Sequence, residues 1–517
     1  MDRIHQKHIS IMDTTLRDGE QTPGVSYTPS EKLHLARLLL TDVKVDRVEV
    51  ASARVSDGEL GGALRVTEWA KDADLIDCVE MLGFCDGKSS VDWISRAGGS
   101  CVNLLAKGSE HHCRQQLGIT PNEHINRIIQ TIEYALENEF KINLYLEDWS
   151  NGVRDNFIYV SELLDAVKHL QVNRILLADT LGVLSPRSVS YFIKLMVDKW
   201  PDFVFDFHGH NDYGLATANA IAAIEGGVAG IHTSVNGLGE RAGNTSLAEI
   251  VTAIADHTDY VTKINEGKLA SISTIVETFS GKSISENAPI LGQDVFTQTA
   301  GIHADGDAKG GLYVTRLAPD RFGRERRYAL GKLSGKASLD HNLNKLGIKL
   351  SEINRNKVLD RIIELGDKKH TVVPEDLLMI IADVLKTPIE NLIKIDSYSI
   401  NVSSDISPEA TVVLSYQGST SKANAIGDGG YDAFMNAVKQ AMETYDIQLP
   451  RLADYRVRIP PGGRTEALVE TLIRWDGFNG EEGFFTVGVD SDQTAAAVIA
   501  TEKMLNIILH DVKSFKR

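Results

Sequence analysis

Residues 205–213 read Phe205-Asp206-Phe207-His208-Gly209-His210-Asn211-Asp212-Tyr213, an apolar run that ends in two histidines one residue apart and gives way to LATANAIAAI. Side chains at i and i+2 of a strand leave the same face. A strand through this run therefore sets His208 and His210 side by side at its C-terminal end, where two imidazoles can share one metal ion. Taken alone, the pair reads sooner as ordinary polar residues capping a strand. The surrounding pattern decides between the two. HISIMDTT, RVEVAS, VEMLGF, CVNLLA, KINLYLE, RILLADT, FVFDFHGH and GIHTSVNG succeed one another along the first half of the chain. Between them lie segments such as SEKLHLARLLL, HINRIIQTIEYALE and SVSYFIKLMVDKW, with apolar residues at three- and four-residue spacing. Eight strands alternating with helices predict a (β/α)8 TIM barrel. An open doubly wound sheet is the alternative, but no GxGxxG opens the first βα turn.

In a barrel the C-terminal ends of all strands meet on one face, which carries the active site. Arg17, Asp18 and Glu20 follow the first strand, Glu147 and Asp148 end the fifth, and Asp179 and Thr180 end the sixth. GLGERAGNTSLAEI follows the eighth. This convergence of polar chemistry with His208 and His210 favours the metal-ligand reading. His111, His112 and Cys113 also look like ligands, but they precede a helix and lack a fourth partner.

The chain has 517 residues, 43% hydrophobic and 24% charged, as expected of a soluble globular protein of several domains. A net charge of −17 argues against nucleic acid or an anionic membrane as partner. Cys78, Cys85, Cys101 and Cys113 show no CxxC spacing, consistent with reduced thiols and a cytoplasmic location. The N-terminal residues reach charge too soon for a secretory signal, and no apolar run approaches the roughly 20 residues of a membrane span.

Beyond the barrel the character changes. SGKSISENAPILGQDVFTQTAGIHADGDAKGGLYVTR is Gly-rich and polar and reads as loop, and helical segments follow from LDHNLNKLGIKLS to VVPEDLLMIIADVLK. RFGRERRYALGK reads as a solvated, interface-forming segment. KIDSYSINV, TVVLSYQG, YRVRIP, ALVETLIRW and FFTVGV read as strands, with YDAFMNAVKQAMETY and QTAAAVIATEKMLNIIL as helices. They form a weak repeat of two strand-strand-helix units, fitting either a packing module or a small-ligand sensor. The expected division is a catalytic barrel over residues 1–285, linker subdomains over 286–393 and an α+β regulatory domain over 394–517.

DTTLRDGEQTPG, YLED, ADTLG, FHGHND, NGLGERAGNT and TQTAGIHADG, with GDGGYDAFMNA and RIPPGGRTEALVET, resemble the 2-isopropylmalate, citramalate and homocitrate synthases over nearly the whole chain. Hydroxymethylglutaryl-CoA lyase is a more distant member of that group. The likeness is nearest to the citramalate synthases, which implies an acyltransferase that condenses acetyl-CoA with pyruvate. The leucine-pathway condensation with 2-oxoisovalerate is the alternative, and a barrel retained only as an amino-acid sensor is a third reading. The resemblance implies one divalent metal, zinc, manganese or magnesium, held by Asp18, His208 and His210 with Asn244 close by. It further implies Glu147 as the base, Arg17 and Thr180 on the 2-oxo acid, and Leu82, Leu105 and Tyr145 as the walls that admit only a methyl group. His303, Asp305 and Tyr313 are implied to close over the partner's site in a homodimer. Many relatives carry an Asn near the end of that segment where this chain reads KGGLY, so the lid contacts differ in detail. Tyr431, Asp432, Thr465, Val469 and Gln493 are implied to hold an amino-acid effector, isoleucine with leucine as its rival.

Overall fold

A computed structural model of the chain describes residues 7–346, 348–367, 372–385, 393–445, 447–458, 469–476 and 483–514. The first-half segments form β1 (Ser10–Asp13), β2 (Arg47–Ser52), β3 (Val79–Phe84), β4 (Cys101–Lys107), β5 (Lys141–Glu147), β6 (Arg174–Asp179), β7 (Phe205–Gly209) and β8 (Gly230–Thr233). Each pairs with the next, and β1 pairs in parallel with β8, closing an eight-stranded barrel. Helices return the chain between strands. Two of them start with a capping box and a proline in the first turn, at Thr28-Pro29 with Glu31 and at Thr120-Pro121 with Glu123.

The strands alternate with period two, but the usual sense is modified. In RVEVAS, Val48 and Val50 join the main hydrophobic core with the helices. Arg47 and Glu49 take the other face, inside the barrel, where ordinary barrels stack branched aliphatic residues. Here the lower interior is ionic. Arg47 Nη1 lies 2.9 Å from Glu80 Oε1 and Nη2 2.5 Å from Asp206 Oδ2, while Arg174 Nη1 reaches Asp206 Oδ1 at 2.7 Å. Burial alone would raise the Asp206 carboxyl, yet Arg47, His232 and Arg174 together hold it well below the usual carboxylate range. Above this layer sits a small apolar cluster of Met12, Leu82, Tyr145, Leu176 and Ala178, with Leu105 packed against it.

Contacts divide the chain into two compact units, Met1–Phe296 with Thr315–Glu325, and Thr297–Val314 with Arg326–Arg517. Within the first, Phe296 stacks on Phe322 at 5.9 Å between ring centroids. Arg321 pairs with Asp256 at 2.8 Å and Glu266 at 2.6 Å, and Arg324 donates to the carbonyls of Ile290, Leu291 and Gly292. In the second unit Arg326 pairs with Asp307 at 2.9 Å. Arg321, Arg324 and Arg326 of RFGRERR are thus engaged by internal partners, which corrects their reading as solvated side chains, whereas Arg327 is exposed.

The second unit opens with the short parallel pair β9 (Thr297–Gln298) and β10 (Arg327–Tyr328) and the helix Gly301–Ala308. GIHADG is therefore helical, not loop. Helices Lys336–Lys345, Glu352–Asp367 and Leu377–Leu385 pack around Leu339, Val358, Ile362 and Leu377. Two antiparallel three-stranded sheets follow, β11 (Lys394–Ser403), β12 (Ile406–Tyr416) and β13 (Ser419–Ile426), then β14 (Leu452–Arg458), β15 (Val469–Trp475) and β16 (Phe484–Asp490). Helices Gly430–Glu443 and Gln493–Ser514 each close one sheet. The repeat unit has three strands before its helix rather than two. STSKANAI is too polar to read as a strand, but it pairs with β12 over its whole length. No described helix is long and apolar enough to cross a membrane.

Replacing Arg47 with Met should destabilise the barrel strongly, because it strands Glu80 in a dry interior and leaves Asp206 with Arg174 as its remaining guanidinium partner; breaking such a buried pair costs about 3–5 kcal/mol. A thermal midpoint for the barrel equal to that of the unaltered chain would show that the interior ions are not holding it.

Candidate active site

The mouth of the barrel is assembled from strand ends. After β1 the chain turns tightly, with the amides of Arg17, Asp18 and Gly19 all directed at the Thr14 carbonyl. This turn brings Asp18 across to β7, where its Oδ2 stands 3.1 Å from His208 Nε2. His208 Nε2 and His210 Nε2 are 3.4 Å apart, as their shared strand face requires. The loop after β8 adds Asn244, whose amide donates to Gly237 O at 3.1 Å and whose Nδ2 donates to Leu238 O at 2.9 Å. That fold-back needs glycine: Gly243 has φ +83°, and a Cβ there would meet Gly237 O at 1.9 Å. It leaves Asn244 Oδ1 buried without a hydrogen-bond partner, like Asp18 Oδ1.

One ligand atom each from Asp18, His208 and His210 lies within 4.8 Å of the others, and all three residues are buried. Adjacent donors on a cation with bonds of about 2.1 Å stand roughly 3–3.5 Å apart, so these atoms fit a metal. Their charge states fit as well. Burial would raise Asp18, but Arg17 and His208 outweigh it and keep the carboxylate anionic, well below the usual range. Burial, with His208 beside it, pushes His210 down to about 4, leaving the neutral imidazole that a metal requires.

Arg17 is held between Asp18 at 3.1 Å and Glu49 at 2.5 Å, and its Nη2 donates to the Tyr145 hydroxyl at 3.3 Å. Glu147 sits directly across the β4–β5 ladder from Lys107, whose Nζ donates to Glu147 Oε2. Asp148 then takes a left-handed conformation, φ +61°, which Asp tolerates better than most side chains. Ser109 Oγ at 2.6 Å and Asn151 Nδ2 at 2.8 Å secure its carboxylate. Its amide donates to Thr180 Oγ1 at 2.8 Å, leaving the Thr180 hydroxyl proton to point elsewhere. Leu82, Leu105 and Tyr145 meet in the apolar cluster of the barrel interior, and the Tyr145 ring lies edge-on to the His208 imidazole at 5.8 Å.

His303, Asp305 and Tyr313 belong to the second unit. The His303 ring packs on Tyr313 at 4.2 Å and contacts Gln298 Oε1 at 3.1 Å, and Asp305 pairs with Lys309. Among the effector candidates, Tyr431 is partly buried and hydrogen-bonds Thr501 Oγ1 at 2.7 Å, with its ring 5.0 Å from that of Tyr455. Asp432 is exposed and accepts from the Asp428 amide; Val469 is buried at the start of β15, and Gln493 is exposed at the start of the last helix. Thr465 lies outside the described residues. His112 approaches Asp148 at 3.4 Å and joins no metal cluster among the described residues. Sequence reading missed Glu49, Lys107 and His232; the alternation in RVEVAS and GIHT marks Glu49 and His232 as facing Arg47 and the barrel axis, whereas Lys107 shows only through the β4–β5 register.

A closed parallel barrel with a carboxylate, two imidazoles and an arginine gathered at its strand ends defines an enzyme class that works at a divalent cation. The family model described as HMGL-like matches residues 8–276, and the chain belongs to that family. The model described as homocitrate synthase post-HMGL domain-like matches residues 290–370, and that of the LeuA allosteric (dimerisation) domain matches 371–509. The chain is 34% identical to the (R)-citramalate synthase CimA of Methanocaldococcus jannaschii, across 97% of this chain and 100% of that one. It is 32% identical to the putative (R)-citramalate synthase CimA of Methanopyrus kandleri, across 90% of each chain. A probable 2-isopropylmalate synthase of the latter organism is also 32% identical, across 96% of this chain and 98% of that one.

His208→Ala and His210→Ala should each lower bound zinc or manganese from about one ion per chain to a small fraction after gel filtration, measured by elemental analysis. Full metal retention in both variants would remove the ligand assignment.

Proposed function

We propose that the protein is a citramalate synthase, condensing acetyl-CoA with pyruvate to (R)-citramalate and free CoA. The observation that carries this reading is the apolar cluster of Leu82, Leu105 and Tyr145 beside His208, whose bulk we read as suiting a methyl rather than an isopropyl group. Relatives named as citramalate synthases support it, and a 2-isopropylmalate synthase of similar identity supplies the alternative acceptor, 2-oxoisovalerate.

In this reading a divalent cation, zinc or manganese in preference to magnesium given two imidazole ligands, supplies Lewis-acid polarisation of the keto group. Asp18, His208 and His210 would hold it, and the unpartnered Asn244 Oδ1 would be a further oxygen ligand. Arg17 lies beside the keto oxygen and neutralises the charge that develops there, while Glu49 fixes its guanidinium. Thr180 donates its free hydroxyl proton to the pyruvate carboxylate. Glu147, steadied by Lys107, removes a methyl proton from acetyl-CoA. The carbon so freed bonds to C2 of pyruvate, and the carbonyl electron pair becomes an alkoxide that takes up a proton. Water then cleaves the thioester, giving the second carboxylate and the CoA thiol. His303 and Asp305, with Tyr313, serve proton transfer from a lid that closes over the partner's mouth in a homodimer; the match to a dimerisation domain supports that assembly.

Release of CoA with each acceptor tests the assignment. Pyruvate should show the higher kcat/KM, and chelated enzyme should be inactive until a divalent ion is returned. A higher kcat/KM for 2-oxoisovalerate would transfer the protein to the leucine-pathway reaction.

The C-terminal domain is proposed to bind isoleucine as a feedback inhibitor near Tyr431, Asp432, Val469 and Gln493. The exposed Asp432 carboxylate suits an α-ammonium, and Val469 suits a branched side chain. Asp432→Ala should spare uninhibited turnover and raise the isoleucine concentration for half-inhibition at least several-fold. Equal inhibition of both forms would move the effector elsewhere.

A further inference from the structure

His232 is a buried histidine that the reaction scheme above does not use. It lies on β8, its side chain is 1% exposed, and it faces the barrel axis beneath the metal ligands. Its Nδ1 is 2.7 Å from the Tyr145 hydroxyl, and its ring meets the Tyr145 ring edge-on at 5.4 Å and the His208 ring edge-on at 5.5 Å. Its Nε2 stands 3.5 Å from Asp206 Oδ2, an electrostatic approach without hydrogen-bond geometry. The anionic Asp206 favours the tautomer with the proton on Nε2, which leaves Nδ1 as a pure acceptor. The Tyr145 hydroxyl therefore donates to His232, and its lone pairs face Arg17 Nη2 at 3.3 Å. Both sides of the hydroxyl are engaged; Arg17 is itself held by Glu49 and Asp18, and His232 faces the Asp206 carboxylate at 3.5 Å.

From this geometry we infer that His232 is a positioning residue: it clamps the Tyr145 ring upright and thereby sets the size of acceptor that the apolar floor admits. The inference rests on the assignment of a small 2-oxo acid to this mouth. An aromatic wall excludes a larger substrate only if it cannot swing aside. A buried tyrosine rotates when its hydroxyl gains more from leaving than from staying, and releasing this one requires breaking a hydrogen bond in a dry interior, with the His232 acceptor left unsatisfied. Leu82 and Leu105 contribute bulk without such a tether, so the stiffness of the wall resides in the Tyr145–His232 pair.

The test compares kcat/KM for pyruvate and for 2-oxobutanoate, one methylene longer, in the full-length enzyme loaded with manganese. A well-made pocket discriminates one methylene by about 10- to 200-fold. His232→Leu removes the acceptor, and the preference for pyruvate should fall at least about tenfold, chiefly through improved use of the larger acid. His232→Asn leaves a similar cavity but places an amide oxygen where Nδ1 was, so it should restore most of the preference; a merely space-filling role would not separate the two. Tyr145→Phe breaks the same bond without opening a cavity and should also lower the preference, and it decides the matter if His232→Leu does not fold. An unchanged preference in Tyr145→Phe, or equal preferences in His232→Leu and His232→Asn, would overturn the clamp. Failure of the underlying assignment appears separately, in the unaltered enzyme, as a kcat/KM for 2-oxoisovalerate above that for pyruvate.

Discussion

Asp206 is the charge around which the barrel is organised. It stands on β7, two residues before His208, and holds Arg47 of β2 and Arg174 of β6 in fixed positions, with His232 of β8 close by. A buried carboxylate flanked by two guanidinium groups has few arrangements with every charge matched, whereas aliphatic side chains repack in many. The cost is desolvation, which the close pairing offsets. The return is a barrel whose strands have one register relative to each other, because sliding any of these four strands by a residue would separate an ion from its partner.

The layers above inherit this order. Tyr145 and Leu105 lie one ladder step above Asn143 and Asn103, and Lys107 and Glu147 one step above them, each pair facing across β4 and β5. Polarity therefore alternates along the barrel axis: ions at the bottom, an apolar ring in the middle, and ligands and ions at the mouth. The apolar ring separates the two charged levels except where Glu49 pairs with Arg17 and where the Tyr145 hydroxyl joins Arg17 to His232. It also leaves Arg17 as the nearest cation to Asp18, and Arg17 is itself occupied by Glu49. Each group at the mouth thus meets the reaction with its orientation already determined, which is how electrostatic stabilisation avoids reorganisation at the moment of bond formation.

Much of this was legible in the amino-acid sequence. The eight strands announce themselves as apolar runs, and the strand-end positions of Arg17, Asp18, Glu147, Thr180, His208 and His210 follow from counting. What escaped depends on neighbours far along the chain. Glu49 and Lys107 matter because lateral register puts one beside Arg17 and the other opposite Glu147, and no local pattern encodes register. His232 looks like an ordinary strand residue until β8 closes on β1 and β7. In the second unit, STSKANAI was lost to its polarity, since a strand supported by a hairpin partner and one covering helix needs few apolar residues. GIHADG was lost to its glycines, although its amides follow helical bonding from Ala300.

Closure of β1 on β8 has a consequence for how the molecule comes into being. Asp18 is among the first barrel residues to be synthesised, whereas His208, His210 and Asn244 come some two hundred residues later. No nascent barrel lacking its last strand can present all four of these residues together, so the candidate site exists only in the closed ring. A cation that binds the finished site and not the open sheet adds its binding free energy to closure, by mass action. An ion held at the mouth would then also act as the latch on a long-range topology whose two ends are otherwise slow to meet.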